Sequence, residues 1–163
     1  AVACAQLPKL DCVVEQRQHI ATQLTAALAE LPGVRLPKAP PRATHAYWKY
    51  AFFVDAARVA GGAVALGQKL RAQGVNCVPR YVQKPAFECE LFREWRRSPV
   101  TALPLSRNPR GERPGPLFDR RDYPGAIAGL EQVVVLPINE RYRDHDVQRV
   151  AAAIRSAHAE LCR

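Results

Sequence analysis

The sequence predicts an α+β fold in which a long N-terminal helix leads into a small, mostly antiparallel sheet with helices packed on one face. Three observations predict it. Apolar residues recur at helical spacing through the first thirty or so positions, two short runs rich in β-favouring residues follow with a helical stretch between them, and a third apolar run near the end leads into another amphipathic helix. A few strands alternating with helices bury their apolar faces most simply as two layers.

Over 9–31, Leu10, Val13, Val14, Ile20, Leu24, Leu28 and Leu31 return at three- and four-residue steps, as one face of a helix requires. Pro8 lacks a backbone donor and should start or kink this helix, and Pro32 with Gly33 should end it. Pro37, Pro40 and Pro41 make the following stretch an extended connector. Residues 46–54, with Tyr47, Trp48, Tyr50, Phe52 and Phe53, read as a strand whose aromatics fill the core rather than stack on bases. A helix over 63–73 should bury Val64, Leu66 and Leu70, and Gly74 stands where a left-handed cap favours glycine. A strand over 75–82 is interrupted by Pro79, which places it at a sheet edge or a strand end.

From 94 to 123 there is neither helical nor strand periodicity, and five of the fourteen prolines fall there, so a long loop is expected. A short helix over 125–130, a strand over 132–136 and a closing helix over 146–161 complete the chain, the last with Val147, Val150, Ala151, Ile154 and Leu161 on one side. At 163 residues the chain reads as a single domain: 1–32 a linking helix, 33–92 and 122–163 an α+β core, and 93–121 an Arg/Pro-rich loop.

Composition removes several classes of function. Hydrophobic residues at 48% and charged ones at 24% match a folded domain rather than a disordered chain. No apolar run is long enough to cross a bilayer and no secretory leader is visible, so a soluble, cytoplasmic protein is expected, with no membrane partner. The five cysteines, an odd set without paired spacing, read as reduced and mostly structural thiols. His19, His45, His145 and His158 have no zinc-site spacing, and no serine or cysteine stands in a nucleophile motif. The net charge of +9 is concentrated: 93–121 holds eight arginines against three acidic residues. That surplus supports one rival reading, a stand-alone module binding nucleic acid or another polyanion, although nucleic acid is the disfavoured partner. The chain has no methionine and opens on residues that read as mid-helix, so it is expected to begin inside a longer one.

Three stretches carry a resemblance. Ala5-Gln6-Leu7-Pro8-Lys9-Leu10-Asp11 precedes Arg17 and the run to Leu31-Pro32-Gly33-Val34. Gly74-Val75 precedes Pro79-Arg80-Tyr81-Val82-Gln83-Lys84-Pro85-Ala86-Phe87. Leu136-Pro137-Ile138-Asn139-Glu140-Arg141-Tyr142 precedes the helix that starts near Asp146. Together they resemble the C-terminal part of the DegT/DnrJ/EryC1/StrS aminotransferases, which place amino groups on nucleotide-linked keto-sugars and on aminocyclitol precursors. Two features depart from the family pattern. Arg96-Arg97-Ser98-Pro99-Val100-Thr101-Ala102 stands where relatives carry a glycine- and serine-containing stretch. Arg143 stands where they often have a threonine cap, leaving Asp144 or Asp146 to accept the free backbone protons.

The resemblance implies the small C-terminal domain of a fold-type-I transferase that depends on pyridoxal 5'-phosphate. It implies that the cofactor is bound mainly by an upstream domain, which would also carry the Schiff-base lysine, so that no residue here is catalytic. Lys9, Lys38, Lys49 and Lys69 then read as solvated surface lysines. It further implies that Arg80, Tyr81, Gln83 and Lys84 approach the substrate, a keto-sugar or keto-cyclitol, through hydrogen bonds and, for Arg80, anion pairing. Asn139 and Glu140 follow a buried strand, where they either line the same cleft or satisfy a turn. Glutamate or glutamine as amino donor and a homodimeric enzyme are implied as well. The Tyr-Val-Gln-Lys-Pro-Ala-Phe and Asn-Glu-Arg-Tyr segments resemble the branch that acts on keto-inositols.

Overall fold

The computed structural model describes residues 1–89 and 119–162, and the chain divides into two compact units, Ala1–Tyr81 with Gln132–Arg163, and Val82–Glu131. In the first unit, helix α1 (Val2–Gln6) passes through a 3-10 turn at Leu7–Lys9 into helix α2 (Leu10–Leu28). Pro8 sits inside that turn, where its missing donor and fixed φ break the α-helical ladder. Ile20, Ala21, Leu24 and Leu28 of α2 are buried. Leu10, predicted on the same face, is 52% exposed, and Val13 and Val14 are half-buried, so only the C-terminal half of the apolar stripe is covered within this unit.

Four strands form one sheet in the order β1 (Val34–Arg35), β2 (Tyr50–Val54), β4 (Val133–Leu136), β3 (Val78–Pro79), and every pairing is antiparallel. The connector expected after Gly33 therefore contributes β1, which pairs Val34 with Val54 and Arg35 with Phe53. Strand β2 starts four residues later than the predicted 46–54. Tyr47 takes a positive φ of 46° and its N–H donates to His45 Nδ1 at 2.8 Å, a local turn incompatible with a ladder. The predicted strand over 75–82 shrinks to β3, because Arg80 with φ 51° turns the chain out of the sheet. Pro79 lies on the edge strand, as its missing N–H favours.

Helix α3 (Gly62–Ala72) buries Leu66 and Leu70, whereas Val64, expected with them, is 42% exposed. Gly74 closes it with φ 78° while Val75 N–H reaches back to Leu70 O at 2.9 Å. Helix α5 (Asp144–Leu161) starts two residues earlier than predicted. The Asp146 carboxylate, at the third helical position, reaches back to accept from the Arg143 N–H at 3.0 Å, the acidic half of a capping box. Ala157 and His158 join the predicted Val147, Ala151 and Ile154 as buried residues. His158 Nε2 lies 2.7 Å from Pro32 O, tying the end of α5 to the turn after α2.

The core lies between one sheet face and the helices. Tyr50, Phe52 and Val54 of β2 and Val134 and Leu136 of β4 meet Leu24, Leu66, Leu70 and Ile154. The buried Tyr50 hydroxyl shares a 2.9 Å hydrogen bond with Thr25 Oγ1, and burial pushes its pKa upward. Of the cysteines, Cys77 is buried, Cys89 is half-buried, and Cys4, Cys12 and Cys162 are exposed, so exposure speaks against the structural role expected for most of them. Burial raises the pKa of the Cys77 thiol.

In the second unit, 3-10 turns at Ala86–Glu88 and Arg120–Asp122 precede helix α4 (Pro124–Gln132). Arg120 pairs with Glu88, and the rings of Phe87 and Tyr123 meet at a tilt of 36° with centroids 5.1 Å apart. Asp119 caps the second turn by accepting from the Arg121 N–H at 2.8 Å. Most of the predicted Arg/Pro-rich loop lies outside the described residues.

Candidate functional site

Alternation along β2 sorts its side chains. Tyr50, Phe52 and Val54 point into the core, and Ala51 and Phe53 occupy the sheet face turned away from the helices, where they are half-buried. Lys49 directly precedes β2, at the bend where the chain enters the strand. Its ammonium donates to the Tyr81 hydroxyl, lies 3.7 Å from the centroid of the Tyr81 ring and sits 4.2 Å from that of Trp48. Lys49 precedes β2 and Tyr81 follows β3, and these two strands flank β4, so the pair reaches across the central strand. Trp48 is 69% exposed and Tyr81 44%, so both rings keep solvent-accessible surface around the Lys49 ammonium that sits over them. At the opposite end of β2, Arg35 stacks over Phe53 at 4.4 Å.

The other predicted site residues are placed as follows. Arg80 is half-buried and its backbone N–H donates to Val133 O at 2.8 Å, at the start of β4. Gln83 and Lys84 are exposed and belong to the second unit. Asn139 Oδ1 accepts from the Arg141 N–H at 2.9 Å and so shapes the turn beyond β4. Glu140 Oε2 receives Arg17 Nη2 at 2.9 Å and Nε at 3.2 Å, a two-donor contact that joins this turn to α2. Tyr50 faces Leu136, so Lys49 stands at the end of β4 from which Asn139 and Glu140 follow, opposite to the end occupied by Arg80.

Sequence reasoning missed Trp48 and Lys49. Alternation counted back from Phe52 would have turned Lys49 outward. No sequence signal exposes Trp48, because its position depends on where the chain leaves the strand.

The Glu140 carboxyl is held below its ordinary pKa, first by its own backbone N–H and then by the Arg17 guanidinium. Asp144 is lowered likewise, first by the Gln23 amide, which donates to it at 2.8 Å, and then by His19. A carboxyl that ionises more readily when folded stabilises fully above its unfolded-state pKa, and that contribution is lost as pH falls through the folded value. The urea midpoint of the wild-type chain should therefore fall more steeply between about pH 5 and 3 than that of Glu140→Gln. Parallel slopes would show that the Arg17–Glu140 contact does not secure the turn.

Residues 1–111 match the DegT/DnrJ/EryC1/StrS aminotransferase family. The chain belongs to this family. Among solved structures it is similar to the aminotransferase TlmJ from Streptoalloteichus hindustanus, at 23% identity and TM-score 0.64, over 98% of this chain and 35% of that one. It is similar to a DegT DnrJ EryC1 StrS aminotransferase from Brucella abortus, at 19% identity and TM-score 0.67, over 95% and 34%. A third is the sugar aminotransferase CalS13 from Micromonospora echinospora, at 16% identity and TM-score 0.64, over 94% and 33%. At these identities the likeness establishes the fold, and the chain spans about a third of the length of each structure. No curated protein matches it.

Family membership raises the question of a pyridoxal phosphate site, which needs an enclosed lysine, a carboxylate for the pyridine nitrogen and phosphate donors. Lys49 is engaged with Tyr81 and two rings, Lys69 pairs with Glu160 at 2.5 Å, and Lys9, Lys38 and Lys84 are exposed. The described residues of this chain do not fit that cofactor by themselves. Among them no cluster of three or more His, Cys, Asp or Glu could hold a metal, and no helix is long and apolar enough to cross a membrane.

Proposed function

We propose that this chain is the C-terminal small domain of a pyridoxal-phosphate-dependent aminotransferase that moves an amino group onto a keto-sugar or keto-cyclitol. The Schiff-base lysine and most of the cofactor contacts come from residues outside this chain, and this domain supplies contacts to the acceptor. Glutamate or glutamine is the donor, and the enzyme is a cytoplasmic homodimer. One observation carries the acceptor-side role: within a domain of this family, Trp48, Lys49 and Tyr81 form a solvent-accessible aromatic and cationic cluster just beyond the ends of β2 and β3. Aromatic faces take the C–H side of a sugar or cyclitol ring, and an ammonium that spends one donor on Tyr81 keeps two for ring hydroxyls or a linked phosphate. The sugar part of the reading draws support from the naming of CalS13. Tyr81 belongs to the acceptor contacts directly, and Arg80, Gln83, Lys84, Asn139 and Glu140 remain proposed members of the same surface. The polyanion-binding alternative draws no support from the family match.

The test uses the native protein that contains this chain, purified from its source cells. Its intact mass should exceed twice the 18.1 kDa of this chain. It should carry the visible absorbance of bound pyridoxal phosphate and transfer an amino group from glutamate or glutamine to a member of a keto-sugar and keto-inositol panel. In that protein Trp48→Ala and Lys49→Ala should each lower kcat/KM for the acceptor by about 10- to 100-fold, as loss of one charged or stacking contact implies. The half-reaction with the donor should be unchanged. Wild-type acceptor kinetics in both variants would remove the cluster from the acceptor site, and absence of both cofactor and amino transfer would overturn the function itself.

A further inference from the structure

A half-open cleft of about 290 Å³ lies between the end of α3 and the first turns of α5, wholly within the first unit. None of Trp48, Lys49 and Tyr81 lines it. Its apolar part comes from Leu136 and Ile138, both buried, together with the half-buried Ala153 of α5. Asn76, Asp146 and Arg149 supply the polar part. Asp146 and Arg149 are three residues apart on α5, which sets their side chains next to each other on one helix face. Arg149 is exposed and has no hydrogen bond or ion pair among the described residues. Asp146 accepts from the Arg143 N–H and lies 3.2 Å from His145 Nε2, and a carboxylate offers about four acceptor sites, so part of its capacity remains.

The charge pattern selects the ligand. A simple anion drawn to Arg149 would meet Asp146 beside it, and a simple cation drawn to Asp146 would meet Arg149. A zwitterion satisfies both. The apolar wall then accommodates a hydrocarbon side chain, and the volume, below the range of about 300–1,000 Å³ typical of larger ligands, suits a small metabolite. We propose that this cleft binds a free α-amino acid with an apolar side chain. Arg149 pairs with its carboxylate, Asp146 with its ammonium, and Leu136, Ile138 and Ala153 receive its side chain. Asn76 adds an amide to the same rim. This site is independent of the aminotransferase reading, since no residue or cofactor of the proposed acceptor surface takes part in it.

Isothermal titration of the 163-residue chain with L-leucine and L-phenylalanine tests the site, with isoamylamine and 4-methylpentanoate as the two single-charge analogues of leucine. At least one amino acid should bind with a Kd on the order of 1 mM or tighter, and each analogue should bind at least about 10-fold more weakly. Arg149→Gln, at an exposed position, should weaken amino-acid binding by about 10-fold while the melting temperature holds. Ala153→Leu, which fills the wall, should abolish it. The site is refuted if neither amino acid binds at about 10 mM, if an analogue binds as tightly as leucine, or if either variant titrates as wild type.

Discussion

Phe52→Ala is expected to lower the free energy of unfolding by about 3–5 kcal/mol. Phe52 is fully buried at the centre of the sheet, opposite Val134, and packs in the core that α2, α3 and α5 close. Removing the ring forfeits its transfer free energy and leaves a cavity that a close-packed interior fills only in part. A domain of this size is stabilised by only about 5–15 kcal/mol, so one substitution consumes a large fraction of the total. Urea denaturation followed by circular dichroism reads the loss. Phe53→Ala is the internal control. Its ring lies half-buried on the other face beneath Arg35, and its loss should cost clearly less than that of Phe52. A one-residue slip in register would exchange the two residues, so a larger cost at Phe53 would overturn the pairing of Tyr50 with Leu136.

Gly67→Val should destabilise the chain by about 2–3 kcal/mol, at the upper end of overpacking costs. A Cβ at Gly67 would stand 2.6 Å from Pro79 Cγ, 2.9 Å from its Cβ and 3.0 Å from its Cδ. The pyrrolidine ring is stiff and belongs to β3, so α3 and the edge strand must separate to admit it. Gly67→Ala carries the same Cβ but gains about 1 kcal/mol of helix propensity, so its net loss should be smaller than that of valine. At Gly74 nothing lies within 4 Å, yet φ is 78°, and alanine there should cost about 1 kcal/mol through backbone strain alone. The same urea titrations rank the three variants. A Gly67→Ala chain more stable than wild type would mean that α3 does not approach β3 this closely.

These two positions also show what could be read in advance. The sequence placed an amphipathic helix over Ile20, Leu24 and Leu28, the cap at Gly74, the edge position of Pro79 and the acidic start of α5, because periodicity and the chemistry of glycine, proline and aspartate act locally. It could not announce that Gly67 makes room for Pro79, since that depends on how closely two separated elements approach. Leu10 and Val64 share the helical spacing of their buried neighbours, yet they lie exposed, because spacing selects a face and does not say how far along the helix a partner extends.

The candidate site divides in the same way. Tyr81 was legible as part of a polar strand end, and Asn139 as a turn former, from residue type and neighbours alone. The aromatic strand was legible too, but its outward members were not. Tyr47 and Arg80 take positive φ values that end β2 and β3 sooner than their side chains suggest, and those breaks free Trp48, Lys49 and Tyr81 from the ladder. By itself the sequence determined the fold class, the order of the main elements and the family resemblance, all of which follow from local periodicity and short motifs. Only the tertiary structure decided that Lys49 meets Tyr81 across β4, that Glu140 answers Arg17 more than a hundred residues away, and that Asp146 and Arg149 share a cleft with Leu136 and Ile138. Contacts between distant segments are set by strand register and helix approach, and no local signal in the chain encodes either.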